Sequence, residues 1–519
     1  MQQRNQIQTA CKRRQFLATS AAGLCGLAGP GMMRVHSGGF ADLSYEEYSS
    51  HDGLGLAELV KKGELTPSEL LNAAISRIEA ADPKLNCISK KMYDFARGVI
   101  QRGIPQGPFE GVPFLLKDLS FDIRGVESAQ GSRLFKGWTA RQTSTVVERY
   151  QKAGLVILGK SSVPELGILG TTESTYGGVT RNPYDLERTV GGSSGGSACA
   201  VAAGMVPVAS ASDGGGSIRI PASCCGLFGL KPTRARVPMG PQGFEGWGGL
   251  AVKHVVSRSV RDSAALLDSS AGAASGDAYL QPGGRPGFLR NLQALPGKLK
   301  IAMVRTMPPT VALDPECLLA FEKTARQCEA LGHRVEECTE KFSQQFSFGE
   351  LRRAHGVTVL VSIRKKVLQR LEELGRGLRE DDLEPVTRYY HEYAQNYSGV
   401  DLQKARDAFF QSSRQMAKFQ QDYDVILTPT LALPPIEHGK MTGNGTAEEL
   451  LEWILRFIPC TAMANWTGQP AMTLPLHRNQ QGLPIGSQFM GRLGDEKTLL
   501  QLAHQLEMAH PWSPVCRSV

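Results

Sequence analysis

Two stretches decide the reading of this chain: Thr189-Val190-Gly191-Gly192-Ser193-Ser194-Gly195-Gly196-Ser197, and Ser212-Asp213-Gly214-Gly215-Gly216-Ser217-Ile218-Arg219-Ile220-Pro221. Between them Ser197 to Ala203 reads as a helix of small residues, Gly204 stops it, and Met205 to Ala211 reads as a strand. Two glycine-serine loops therefore flank one helix-strand unit. Glycines let a backbone approach another group closely and adopt positive φ, so successive N–H groups can converge on an anion. Neither loop has the Lys-Ser/Thr of a phosphate loop, and neither has G-x-G-x-x-G. The nest suits an oxyanion.

The same alternation of helix, glycine and strand continues outward. Thr66-Pro67-Ser68-Glu69 supplies an N-cap, a first-turn proline and a capping-box Glu ahead of Leu70, Leu71, Ala74, Ile75 and Ile78. A second helix is expected from Thr145 to Ala153, closed by Gly154 before the buried-strand run Leu155-Val156-Ile157-Leu158. Downstream, Lys298 to Val304 reads as a strand and Pro315 to Ala330 as a helix. A charged helical region fills about 349–421. It reads as a helical layer, with a cap over a site as the alternative. Asp424 to Leu427 and Ala471 to Pro475 return to the sheet, and Glu496 to Ala509 closes the chain as a helix. This is α/β grammar without an internal repeat.

Composition bounds the function. The 519 residues are 41% hydrophobic and 21% charged, which excludes disorder and coiled-coil architecture. No apolar run is long enough for a multi-span membrane protein. Of the net charge of +8, five charges (Arg4, Lys12, Arg13, Arg14, Arg34) lie in residues 1–40, which contain no acidic residue. The remaining +3 and the lack of a basic stripe interleaved with aromatics argue against a nucleic-acid partner. Lys12-Arg13-Arg14-Gln15-Phe16-Leu17 followed by Ala18 to Ala28 resembles a twin-arginine export signal. Residues 1–41 are accordingly set apart from a domain over 42–519, and the chain is expected to be exported to a bacterial periplasm without stable membrane insertion. Eleven cysteines without C-x-x-C, and no His pair at metal spacing, indicate neither zinc nor a disulfide scaffold.

Gly191-Gly192-Ser193-Ser194-Gly195 matches G-x-S-x-G, but the polar Tyr184 to Arg188 that precedes it is not the strand a nucleophile elbow needs. His477, His504 and His510 read as surface or helix residues. Without histidine, the base left for a serine nucleophile is a lysine kept neutral by burial. Gly111-Val112-Pro113-Phe114-Leu115-Leu116-Lys117-Asp118 places one at the end of an apolar run. Taken alone, Lys117 reads as a solvated strand end.

Together these segments resemble the amidase signature family over roughly residues 50–510. The Gly192 to Gly196 loop, Gly215 to Pro221, and Gly226-Leu227-Phe228-Gly229-Leu230-Lys231-Pro232-Thr233 fit its core. Gly111 to Asp118 fits its lysine motif; Asn465, Gly468 to Ala471, Gly482 to Gly486 and Gln488 fit its C-terminal pattern. The resemblance implies one α/β/α domain around a mixed, mainly parallel, twisted sheet. It implies Ser217 as nucleophile, Ser193 behind a cis Gly192–Ser193 peptide as proton shuttle, and Lys117 as base. Backbone N–H groups of Gly214, Gly215, Gly216 and Ser217 would form the oxyanion hole, with Ser194, Asp213 and Arg219 supporting the loop. It implies no cofactor and no metal, a small-molecule amide substrate, and a homodimer by analogy with many relatives. Gly214 replaces the family's usual Thr or Ile, which is expected to loosen the loop and enlarge the pocket. Thr171-Thr172-Glu173, Asn182-Pro183 and Asp314-Pro315-Glu316-Cys317 look most like hydrolases of cyclic or linear aminohexanoate amides. The alternatives are the glutaminase subunit of a tRNA-dependent amidotransferase and an idle amide-binding protein.

Overall fold

Eleven runs of the chain pair into one sheet. In chain order they are β1 (Ile88–Lys91), β2 (Pro113–Lys117), β3 (Val156–Ser161), β4 (Val208–Asp213), β5 (Phe228–Lys231), β6 (Val252–Ser257), β7 (Lys300–Met303), β8 (Arg334–Glu337), β9 (Val425–Pro429), β10 (Ala471–Arg478) and β11 (Pro484–Gly491). Across the sheet the order is β1-β3-β2-β4-β6-β5-β10-β11-β9-β7-β8. The computed structural model describes residues 43–243, 245–279, 287–308, 310–512 and 515–516. The export-signal reading falls on residues 1–41, outside that set. Leu43–Val519 form one compact unit.

The sheet is mixed, as expected, with helices against it. Parallel pairing holds for β2 with β3 and β4, and for β7 with β8 and β9. The other pairs, including all of the centre from β4 through β6, β5, β10 and β11 to β9, are antiparallel. The emphasis on parallel strands is therefore confined to the two flanks. The physical reason is connection length: β10 and β11 join through the short turn around Gly482, and only antiparallel neighbours allow that. Every residue of β2, β3, β6, β9 and β11 is buried, so both sheet faces are covered.

The helices used below are α1 (Pro67–Leu85), α2 (Thr145–Lys152), α3 (Gly195–Ala202), α4 (Arg219–Cys224), α5 (Val260–Ser270), α6 (Pro315–Ala330), α7 (Phe348–Leu374), α8 (Pro385–Tyr393), α9 (Gly399–Phe419), α10 (Met463–Thr467) and α11 (Glu496–Ala509). The capping box read from Thr66 and Glu69 is formed in both directions at the start of α1. α6 spans the expected residues, capped by Asp314 ahead of Pro315. The strand expected at Met205 begins at Val208 instead, because Pro207 has no N–H to give to the ladder. Val252–Ser257 joins the sheet although Lys253 and His254 interrupt its apolar run, and both are buried there.

The region 349–421 is a packed layer of three helices, not a detached cap. Leu351, Ala354 and Val357 of α7 pack with Ala405, Phe409 and Met416 of α9 and with Trp466 of α10. Val359, Ile363 and Val367 pack on Leu134, Phe135 and Leu166. α7 thereby runs beside the loop between β4 and α4.

Candidate active site

Lys117 ends β2 at the meeting point of the parallel strands β3 and β4. Strand side chains alternate between faces, so Ser210 and Ser212 of β4 both turn toward it. The Lys117 N–H donates to Ser210 Oγ at 2.7 Å, and Lys117 Nζ reaches Ser212 Oγ at 2.9 Å and Ser193 Oγ at 2.8 Å. The side chain is wholly buried. Burial pushes its pKa down to about 7, against an upward pull from Asp213. At neutral pH a large share of the amine is therefore uncharged and has a lone pair to offer.

Asp118 does not oppose this. Its carboxylate turns to Lys160 Nζ at 3.1 Å and accepts the Ser128 hydroxyl at 2.9 Å. Lys160 and Asp118 form a buried ion pair of their own, so the neighbouring carboxylate is spent elsewhere.

Ser193 immediately precedes Ser194, the N-cap of α3, and the Gly192–Ser193 peptide is cis, as the resemblance implied. Ser194 Oγ donates to Ser212 O at 3.2 Å and accepts from Ser212 N at 3.3 Å, which ties the first loop to the end of β4. Ser217 lies on the second loop, part-exposed, and its Oγ makes no hydrogen bond within the described residues. The structure thus joins Lys117 to Ser193 directly and leaves Ser217 part-exposed.

The second loop is held by one buried ion pair. Asp213 accepts from Gly216 N at 2.8 Å and Ile218 N at 3.1 Å, and pairs with Arg219 through Nε at 3.0 Å and Nη2 at 2.9 Å. Arg219 also donates to Thr461 O, Gln488 Oε1 and Asn465 Oδ1 at 2.7 to 2.8 Å. Both side chains are fully buried. Burial, the largest single influence, pushes the Asp213 carboxyl up, but the Arg219 charge and hydrogen bonds, the Lys231 charge and the Asn465 hydrogen bond together outweigh it and hold the pKa down at about 2. A buried ion pair persists where its remaining donors and acceptors are satisfied, as they are here.

Two expectations about this loop need correction. The Gly216 N–H is given to Asp213, so the loop amides without an acceptor among the described residues are those of Gly214, Gly215 and Ser217. Gly216 has φ +135°, and a Cβ there would run into Thr461, so its role is conformational. The second correction concerns Gly214. A Cβ on it would lie 2.7 Å from Trp247 Cε3, so the missing side chain makes room for an indole ring rather than enlarging the pocket.

Sequence reasoning missed Ser210, Ser212, Lys160 and Trp247. The spacing of Ser210 and Ser212 on a strand next to Asp213 was a usable signal. Trp247 had none, because only tertiary packing brings it to Gly214. The nine cysteines of the described chain are all free and buried, and no group of three or more His, Cys, Asp or Glu among the described residues could hold a metal ion.

With this geometry in view, the comparisons are specific. The amidase family model matches residues 69–500. A 6-aminohexanoate-cyclic-dimer hydrolase of Pseudomonas sp. (strain NK87) is 36% identical over 474 residues, covering 89% of this chain and 95% of the relative. The solved structure of a 6-aminohexanoate cyclic dimer hydrolase superimposes with TM-score 0.85 at 35% identity, over 90% of this chain and 98% of that one. A bacterial aryl acylamidase of the amidase signature enzymes superimposes with TM-score 0.79 at 27% identity, over 89% and 97%. The chain belongs to the amidase family and is a hydrolase of amide C–N bonds.

Proposed function

We propose that the chain cleaves a small carboxamide through an acyl-enzyme on Ser217, with Ser193 passing the proton to Lys117. The observation that carries this reading is the buried Lys117 amine, lowered to about 7 and hydrogen-bonded at 2.8 Å to Ser193 Oγ. A general base works best with a pKa near the operating pH, and this amine is placed there by burial.

In the proposed reaction the Ser217 oxygen bonds to the substrate carbonyl carbon. Its proton moves to Ser193, whose own proton moves to Lys117 Nζ. The free N–H groups of Gly214, Gly215 and Ser217 are the donors available to the resulting oxyanion. The C–N bond then breaks as the proton returns through Ser193 to the departing amine. Water repeats the sequence on the ester and releases the acid. The substrate class we assign is a small amide of the aminohexanoate cyclic-dimer kind, on the strength of the 36% identical 6-aminohexanoate-cyclic-dimer hydrolase. We place the mature chain in the periplasm on the strength of Arg13-Arg14 and the apolar segment that follows.

The test is active-site labelling with a fluorophosphonate followed by peptide mass spectrometry, alongside turnover of a panel of cyclic, linear and aryl amides. The adduct is expected on the peptide containing Ser217, with none in Ser217→Ala. Labelling that survives in Ser217→Ala refutes the assignment.

A further inference from the structure

We infer that His355 is a substrate-facing hydrogen-bond donor, giving its Nε2–H to the carbonyl oxygen of the amide under attack, beside the backbone N–H groups of the Ser217 loop. The inference rests on the acyl-transfer reading above and adds a side chain to it.

His355 lies on α7, and the edge of its ring faces the second glycine loop. A Cβ built on Gly215 would be 3.3 Å from His355 Cε1 and 3.7 Å from Nε2. The opposite nitrogen is engaged: Trp466 Nε1–H of α10 donates to His355 Nδ1 at 2.9 Å, with the two rings at 75° to each other. An indole N–H can only donate, so Nδ1 has its lone pair there and carries no proton. The ring is therefore in the tautomer that has its hydrogen on Nε2. Burial pushes the His355 pKa down to about 4, so the ring stays neutral through the range in which Lys117 acts.

That leaves the Nε2–H of the half-buried ring without a partner: His355 makes no other hydrogen bond among the described residues. A purely structural role, tying α7 to α10, needs only an acceptor at Nδ1. It has no use for an N–H left over at the rim of the loop that also carries Ser217. Among the loop amides, Gly216 N–H is committed to Asp213. A neutral imidazole donor next to Gly215 stands where an oxygen held by the Gly215 amide could receive a second hydrogen bond. Such donors stabilise charge that develops in the transition state, and their loss is felt in kcat.

The test compares the purified full chain with His355→Phe and His355→Gln on one amide substrate. It is accompanied by 15N NMR of the wild-type imidazole and by fluorophosphonate labelling. The ring-keeping Phe is expected to lower kcat about 100- to 1000-fold with KM little changed, as for loss of one oxyanion donor. Gln, with an amide N–H of its own, is expected to recover part of that loss. The NMR signals are expected to show Nδ1 unprotonated and Nε2 protonated at pH 7. An unchanged kcat in His355→Phe, a loss confined to KM, or a proton on Nδ1 overturns the inference. Failure of the underlying reading is distinguishable, because it would appear as absent Ser217 labelling in the wild-type chain. Labelled Ser217 with an unaffected kcat in His355→Phe removes only the histidine.

Discussion

Replacing Lys117 by Met tests the physical basis of the site without measuring catalysis. The amine is wholly buried and its pKa falls from 10.5 to about 7 on folding. At roughly 1.4 kcal/mol per unit, the fold disfavours the ammonium by about 5 kcal/mol. The sign follows from proton counting. Between pH 7 and 10.5 the unfolded lysine is charged and the folded one is neutral, so the unfolded state binds one more proton and stability rises with pH. Methionine has a similar length and no titration. It relieves the burdened amine but strands the Ser193 and Ser212 hydroxyls, at about 1 to 3 kcal/mol each. The two effects nearly cancel near neutral pH, so the variant should be close to wild-type stability there. From pH 8 to 10 the wild type should gain on it by about 1.4 kcal/mol per pH unit. Guanidinium unfolding of both proteins at pH 8, 9 and 10 measures the difference. Lys231 and Lys253, also lowered by burial, to about 7 and about 8, contribute to both proteins and drop out. Parallel pH profiles would refute the claim that Lys117 is neutral in the folded chain.

Because only the free amine accepts a proton, kcat/KM should fall about tenfold per pH unit below 7 and level above about 8; Lys117→Ala should abolish this limb, which a pH–rate series checks. Arg219→Met should cost about 3 to 5 kcal/mol in denaturant titration, since it leaves the Asp213 charge buried without its partner. Gly214→Thr should displace Trp247 and lower both Tm and kcat, and Trp247→Ala in the same chain should restore part of the Tm by removing the ring that the new Cβ meets. If the twin-arginine reading is right, Arg13→Lys with Arg14→Lys should hold the protein in the cytoplasm on cell fractionation; unchanged distribution refutes it.

Much of the site is legible in the sequence. Lys117 taken alone reads as a solvated strand end and only the family resemblance points it inward, whereas Ser193 and Ser217 stand in loops whose glycines are legible locally. The caps of α1 and α6 were legible for the same reason, since the Thr66 with Glu69 box and Asp314 ahead of Pro315 act within one helical turn. β6 was hidden because Lys253 and His254 look like solvent-facing residues until neighbouring strands and helices bury them. Where long-range packing decides, local pattern carries no signal.

The sequence by itself thus determined the α/β class and the two glycine-serine loops, because each depends on residues close together in the chain, and the resemblance carried by those loops pointed to Ser217, Ser193 and Lys117 as the proposed reacting side chains. Tertiary structure alone decided the rest. It turned Asp118 to Lys160, gave the Gly216 amide to Asp213, placed Trp247 over Gly214, and set His355 against Gly215 with its tautomer chosen by Trp466. The last two join residues 33 and 140 positions apart, and the Trp466 bond spans 111. Nothing in local chain chemistry links such residues. Only closing the sheet and laying the helical layer against it puts them within hydrogen-bond or van der Waals reach, where burial then sets which groups stay neutral.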